Sequence, residues 1–110
     1  MVSMLRMEVE HAAGNACVRC DGGLLRGEGL ERLAELAGNI SAESIVIDLS
    51  NVPRIDAHGL GILVSIADRV RARGMGVSVT NAQPLVRAVI ETCGLSALLS
   101  GHTNCCSPAA

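Results

Sequence analysis

The stretch Ser44-Ile45-Val46-Ile47-Asp48-Leu49 runs through Asn51-Val52-Pro53-Arg54 into Ile55-Asp56-Ala57-His58-Gly59-Leu60, and the fold is decided on this passage. Residues 44–49 are apolar through their middle and β-branched. That is the pattern of a strand covered on both faces, so they are expected to form the central strand of a sheet. The segment 51–54 interrupts it. Beyond, Leu60, Leu63, Ala67 and Val70 recur at helical spacing down to Gly74, which predicts the longest helix, starting at Asp56-Ala57-His58-Gly59.

Working outward, Val77-Ser78-Val79-Thr80 reads as a further strand. Pro84 then suits the first turn of a helix over about 84–93, whose Val86, Val89, Ile90 and Cys93 repeat at helical spacing before Gly94. On the other side, Leu5–Glu10 and Ala16–Cys20 alternate and are separated by the turn-forming Ala13-Gly14-Asn15, which predicts an antiparallel hairpin. Gly22, Gly23 and Gly27 break the pattern. Leu30, Leu33, Ala34 and Ala37, stopped by Gly38-Asn39, then mark a helix over 28–37. Strand, helix and strand in that order imply a right-handed parallel crossover. The expected class is α/β: a mixed sheet of four to five strands, an antiparallel N-terminal hairpin and three or four packed helices. One domain is expected over residues 4–99, followed by a flexible tail over 100–110.

The chain has 110 residues, 49% hydrophobic and 18% charged, with no Phe, Tyr or Trp. Its core must therefore be aliphatic. Without aromatic stacking platforms, and with a net charge of −2, nucleic acid is not an expected ligand. No apolar run approaches the roughly 20 residues that span a bilayer, and the start lacks the pattern of a signal peptide, so no membrane insertion and a cytoplasmic location are expected.

Five cysteines is an odd number with no small loop-rich framework around it, which favours free thiols. Cys17 and Cys20 would point to opposite faces of a strand, which spoils chelation by the pair. His102, Cys105 and Cys106 lie in a tail of Gly, Ser, Thr and Asn and are read as a frayed end. Neither metal nor cofactor is expected.

In an α/β sheet, partners usually dock beyond the carboxyl ends of the parallel strands, which is where Asp56–Gly59 falls. Asp56 is placed to cap the long helix. Gly59 would admit close approach of another chain or a phosphate. His58, Ile62, Ser65 and Arg69, spaced by four, three and four, line up on one face away from Leu63, Ala67 and Val70. An enzyme is not expected, since the one nucleophile in sequence reach of His58 is Ser65, about two turns away and too far for a hydrogen-bonded pair. His58 is read as a surface contact or a pH-sensitive rim residue.

From about residue 4 to 99 the chain resembles the STAS domain of bacterial anti-sigma-factor antagonists. The resemblance rests on Ile45-Val46-Ile47-Asp48-Leu49, Ile55-Asp56-Ala57-His58-Gly59-Leu60-Gly61-Ile62-Leu63, Arg73-Gly74, Gln83-Pro84-Leu85-Val86 and Cys93-Gly94-Leu95. It implies a non-enzymatic protein that binds an anti-sigma factor with a serine-kinase, ATP-binding fold and so frees a sigma factor for transcription. Family members typically carry a serine directly after the aspartate at this helix start, and its phosphorylation by the kinase ends the complex. Here Ala57 stands at that phosphoacceptor position and His58 where a second hydroxyl is usual. Leu25 lies about where many relatives have an acidic residue.

The helical spacing of His58, Ile62, Ser65 and Arg69 fits either a partner contact or a plain solvated face; taken with the resemblance, the expected partner surface is Leu25, Arg26, Asp56, Ala57, His58, Gly59, Ile62, Ser65 and Arg69, with no phosphorylation control because Ala57 has no hydroxyl. The alternative is a STAS scaffold or ligand-binding module serving another regulatory assembly or a transporter. A second copy of the chain, giving a homodimer, is also left open as a partner.

Overall fold

The computed structural model describes residues 5–25 and 27–95. Candidate residue Arg26, the tail expected over 100–110, and with it His102, Cys105 and Cys106, lie outside the described residues. The described chain runs β1 (Arg6–Ala12), β2 (Asn15–Asp21), α1 (Glu28–Asn39), β3 (Ser44–Asn51), α2 (Ala57–Ala72), β4 (Gly76–Thr80) and α3 (Pro84–Thr92). The fold is α/β, with a four-stranded mixed sheet in the order β1-β2-β3-β4. Strands β1 and β2 pair antiparallel, whereas β2–β3 and β3–β4 are parallel.

The hairpin is closed by Ala13 at φ 53° and Gly14 at φ 84°, two left-handed residues whose twist matches the flanking strands. The turn is therefore two residues long. Asn15 opens β2 and pairs with Ala12, and both strands extend a little further than the alternation suggested.

Strand β3 lies between β2 and β4, as its unbroken apolar run demands. Its neighbours are reached by α1 and α2, two crossovers that step the same way across the sheet. Right-handed connections taken in one direction place both helices on one face. The core agrees: Ala16, Val18 and Cys20 of β2, Ile45, Ile47 and Leu49 of β3, and Val79 of β4 are buried with Leu30, Leu33 and Ala37 of α1, Leu63, Ile66, Ala67 and Val70 of α2, and Val86 and Ile90 of α3. The intervening residues of the same strands point the other way. There Cys17 and Val46, paired across the strands, form a second small cluster.

Two features of the ends hold this layer together. The last turn of α1 carries no basic residue of its own, so its unpaired carbonyls need outside donors. Arg73, at the C-cap of α2, supplies them: Nη1 donates to the Gly38 carbonyl at 2.7 Å and Nη2 to the Ile40 carbonyl at 2.8 Å. A cation there also suits the negative end of the helix dipole. Replacing Arg73 by Ala is expected to cost about 1–2 kcal/mol, lowering Tm by several degrees in a thermal melt, whereas Arg73→Lys restores only part because one ammonium cannot span both carbonyls.

The cysteines divide by face, as the strand geometry requires. Cys20 is a free thiol in the core, and burial, with a smaller contribution from the charge of Asp48, raises its pKa from 9.0 to about 12. Cys93 is free and exposed. Cys17 corrects the expectation of free thiols, for it is disulfide-bonded.

Alkylation of the native protein at mildly alkaline pH is expected to label Cys93 and spare Cys20, since the reactive species is the thiolate. Mass mapping of the labelled peptides reads this out. The neutral thiol of Cys20 favours the folded state below pH about 9, and this contribution is lost as pH rises from about 9 towards 12, because the unfolded chain ionises first.

Candidate functional site at the start of helix α2

The segment after β2 is joined to the start of α2 by the backbone. Gly22 N–H donates to the Asn51 carbonyl at 3.0 Å, Leu24 N–H to Arg54 at 2.9 Å, and Asp56 N–H to Leu24 at 3.2 Å. Leu24 and Ile55 form an isolated parallel bridge. Leu24 is fully buried, which turns the next residue, Leu25, outward to 38% exposure. The sequence shows no strand pattern here because the ladder is only one bridge long.

Asp56 caps α2. Its Oδ1 accepts from Gly59 N–H at 2.8 Å and its carbonyl from Leu60 N–H at 2.9 Å. With no other acidic residue in the first turn, the carboxylate of Asp56 is the group that meets the positive end of the helix. Ala57 and His58 follow at the first two helical positions, both exposed.

Gly59 is placed differently from the sequence expectation. It is buried, and a Cβ built on it would stand 2.1 Å from the Leu24 carbonyl oxygen and 2.9 Å from Ile55 Cγ1. The close approach it permits is therefore made by the chain's own backbone, and no surface remains there for an outside ligand.

The stripe His58, Ile62, Ser65 and Arg69 also divides. His58 and Ser65 are exposed, but Ile62 is half-buried and leans on the core. Arg69 reaches across to the Ala34 carbonyl of α1 at 3.5 Å, and its Nη1 lies 3.3 Å from where a Gly38 side chain would begin. Helix α1 occupies the lower part of the expected face. Periodicity told which residues share a side of α2, but it could not tell that a neighbouring helix stands against that side.

The structure thus brings Leu25, Asp56, Ala57 and His58 together at the carboxyl end of the parallel strands. Leu85 was not among the expected residues. Leu85, in the first turn of α3, is 63% exposed, and together with Leu25 it makes up the large exposed hydrophobics among the described residues. Helix α3 starts at the same end of the sheet, where Gln83 Nε2 donates to the Ser50 carbonyl of β3 at 2.8 Å. The signal was legible: Leu85 falls off the stripe formed by Val86, Val89 and Ile90, so its side chain had to face outward.

Asp48 strengthens this end. One carboxylate oxygen accepts from Ser50 N–H at 2.8 Å and the other from Asn81 Nδ2 at 3.3 Å, linking the ends of β3 and β4. Among the described residues, no group of three or more His, Cys, Asp or Glu is arranged to hold a metal ion. No described helix is long and apolar enough to cross a membrane.

A four-stranded sheet with one antiparallel edge, helices on one face and a capped helix start beyond β3 is the geometry against which known families can be compared. The family model of the STAS domain matches residues 6–105. The chain belongs to the STAS domain family.

Solved structures share this STAS fold. The anti-sigma factor antagonist SpoIIAA in its unphosphorylated form is 17% identical with a TM-score of 0.76, over 89% of each chain. An anti-sigma factor antagonist from Mycobacterium paratuberculosis is 24% identical with a TM-score of 0.74, covering 86% of this chain and 82% of that one. A sulfate transporter family protein from Wolinella succinogenes is 19% identical with a TM-score of 0.71, covering 81% and 74%. No curated protein sequence matches this STAS domain.

Proposed function

We propose that this STAS domain is a non-enzymatic, cytoplasmic anti-sigma-factor antagonist that binds an anti-sigma factor of serine-kinase fold and is not switched off by phosphorylation at the start of α2. The observation that carries this reading is Ala57: an exposed methyl at the first helical position, directly after the Asp56 cap, where the family resemblance places a phosphoacceptor serine. A phosphate there would add nearly two negative charges beside Asp56. Ala57 cannot accept one, so the antagonist stays in its binding form. Leu25, Ala57 and His58 form the contact surface, widened by Leu85, and Asp56 serves it by holding the helix start.

Two of the structures with this fold are named as anti-sigma factor antagonists, which supports the reading at the level of fold and family. The sulfate transporter relative supports a second one, in which the domain serves a transporter or another assembly.

The test mixes the protein with an anti-sigma factor of serine-kinase fold and ATP. A complex should form while the intact mass of the protein stays unchanged, and Ala57→Ser should gain one phosphoryl group and lose the complex. Absence of any complex would overturn the antagonist reading. Phosphorylation of the wild-type chain would overturn the claim that it lacks this control.

A further inference from the structure

The sheet ends on two strands, β1 and β4, each with a strand neighbour on one side. An open strand edge presents a row of unpaired N–H and C=O groups, which proteins commonly protect with a short strand, a proline or a bulge. Strand β4 is short, five residues from Gly76 to Thr80. Strand β1 has seven residues, no proline and unbroken pairing with β2. Among the described residues no strand pairs with its outer side.

The hairpin turn decides which backbone groups lie open. Ala12 and Asn15 close a two-residue turn, so they form a hydrogen-bonded pair. The alternation of an antiparallel ladder then turns the N–H and C=O of Glu10, Glu8 and Arg6 towards β2, and those of Val9 and Met7 towards the open edge. Side chains follow the pleat. Met7 and Val9 pack against the core on the helix face, while Arg6, Glu8 and Glu10 are exposed on the other. Glu10 is held by Arg19 at 2.8 Å, but among the described residues neither Arg6 nor Glu8 is in an ion pair.

A second copy fits this edge in one register. Two β1 strands joined antiparallel must match apolar face to apolar face, which forbids a slip of one residue, and like charges directly opposite each other destabilise the pair. Centred on Val9, Glu8 would oppose the second copy's Glu10. Centred on Glu8, the two Glu8 side chains would oppose each other. Centred on Met7, Arg6 of each copy stands opposite Glu8 of the other, Leu5 meets Val9, and no like charges are opposed. The open backbone groups of Met7 and Val9 then find partners. A groove of about 360 Å³ opens beside the same residue, lined by Met7, Arg32, Glu35, Leu36 and Asn39, and the twofold axis through Met7 sets the two grooves side by side.

We infer that the outer edge of β1 is a homodimer interface, closed by reciprocal Arg6–Glu8 pairs about a twofold axis at Met7, which joins two four-stranded sheets into one. Strand β1 lies two strands away from β3 and the start of α2, so the inference does not rest on the antagonist reading.

Sedimentation velocity of the full chain tests it. Between about 1 and 300 µM the weight-average mass should rise from one chain towards two, as suits a small interface. Arg6→Glu and Glu8→Arg each oppose like charges twice, so each should weaken self-association about tenfold or more. Both positions are exposed, and circular dichroism of the variants should match the wild type. Mixing the two variants should restore association as a heterodimer, because each residue then faces the opposite charge. A monomer throughout the range would overturn the proposal. Self-association that survives both reversals would overturn it too, as would a mixture whose mass is only the average of its two components.

Discussion

Gly59→Ala is expected to destabilise the protein by about 3 kcal/mol or more, with Tm falling by roughly 10–20 °C. The Cβ would stand 2.1 Å from the Leu24 carbonyl oxygen. That oxygen is fixed, because it accepts from Asp56 N–H and lies beside the Leu24–Ile55 bridge. Relief would require the segment 22–25 to move off the start of α2, exposing Leu24. Two residues further on, Gly61 has nothing within 4 Å of a built Cβ and is exposed. Gly61→Ala should therefore raise stability by about 0.5–1 kcal/mol, since it removes only the conformational cost of glycine in a helix. Thermal melts of the pair followed by circular dichroism check both signs, and equal effects would show that the close contact at Gly59 is not what sets its cost.

On the proposed function, Ala57→Glu is expected to weaken the complex with the anti-sigma factor about a hundredfold, because a carboxylate at the centre of the proposed contact would be buried without a partner. Folding should barely change: residue 57 is exposed, and a negative charge at a helix N-terminus is mildly favourable. Titration calorimetry on Ala57→Glu, with Ala57→Gln as the uncharged control, separates charge from size. An unchanged affinity would place the contact surface elsewhere on the domain.

These two predictions sit two residues apart and differ in how far sequence could lead to them. The exposed first turn, the Asp56 cap and the missing hydroxyl at Ala57 were legible because they follow from local rules: a capping carboxylate, the helical period beginning at Leu60, and residue chemistry. The role of Gly59 was not. Its absent side chain permits a close approach, but sequence cannot say whose atoms approach, and they proved to be those of Leu24, thirty-five residues earlier. The same holds at Arg69 and Arg73. Both stand near the end of an amphipathic helix, where exposed arginines usually face solvent, yet α1 lies alongside and offers carbonyls to each.

The sequence by itself determined the elements and their class. The β-branched run at 44–49, the helical spacing through 60–70 and the turn at Ala13-Gly14 are properties of short segments, where side-chain period and backbone preference act without distant contacts. Only the tertiary structure decided which faces those elements share. It placed both crossover helices on one side of the sheet, and it brought Leu25 and Leu85 to the same end as Ala57. It also decided that the face carrying Cys20, and not the one carrying Cys17, packs against the helices. The physical reason is that packing joins residues tens of positions apart, and a periodic pattern records that a face is apolar without recording what meets it.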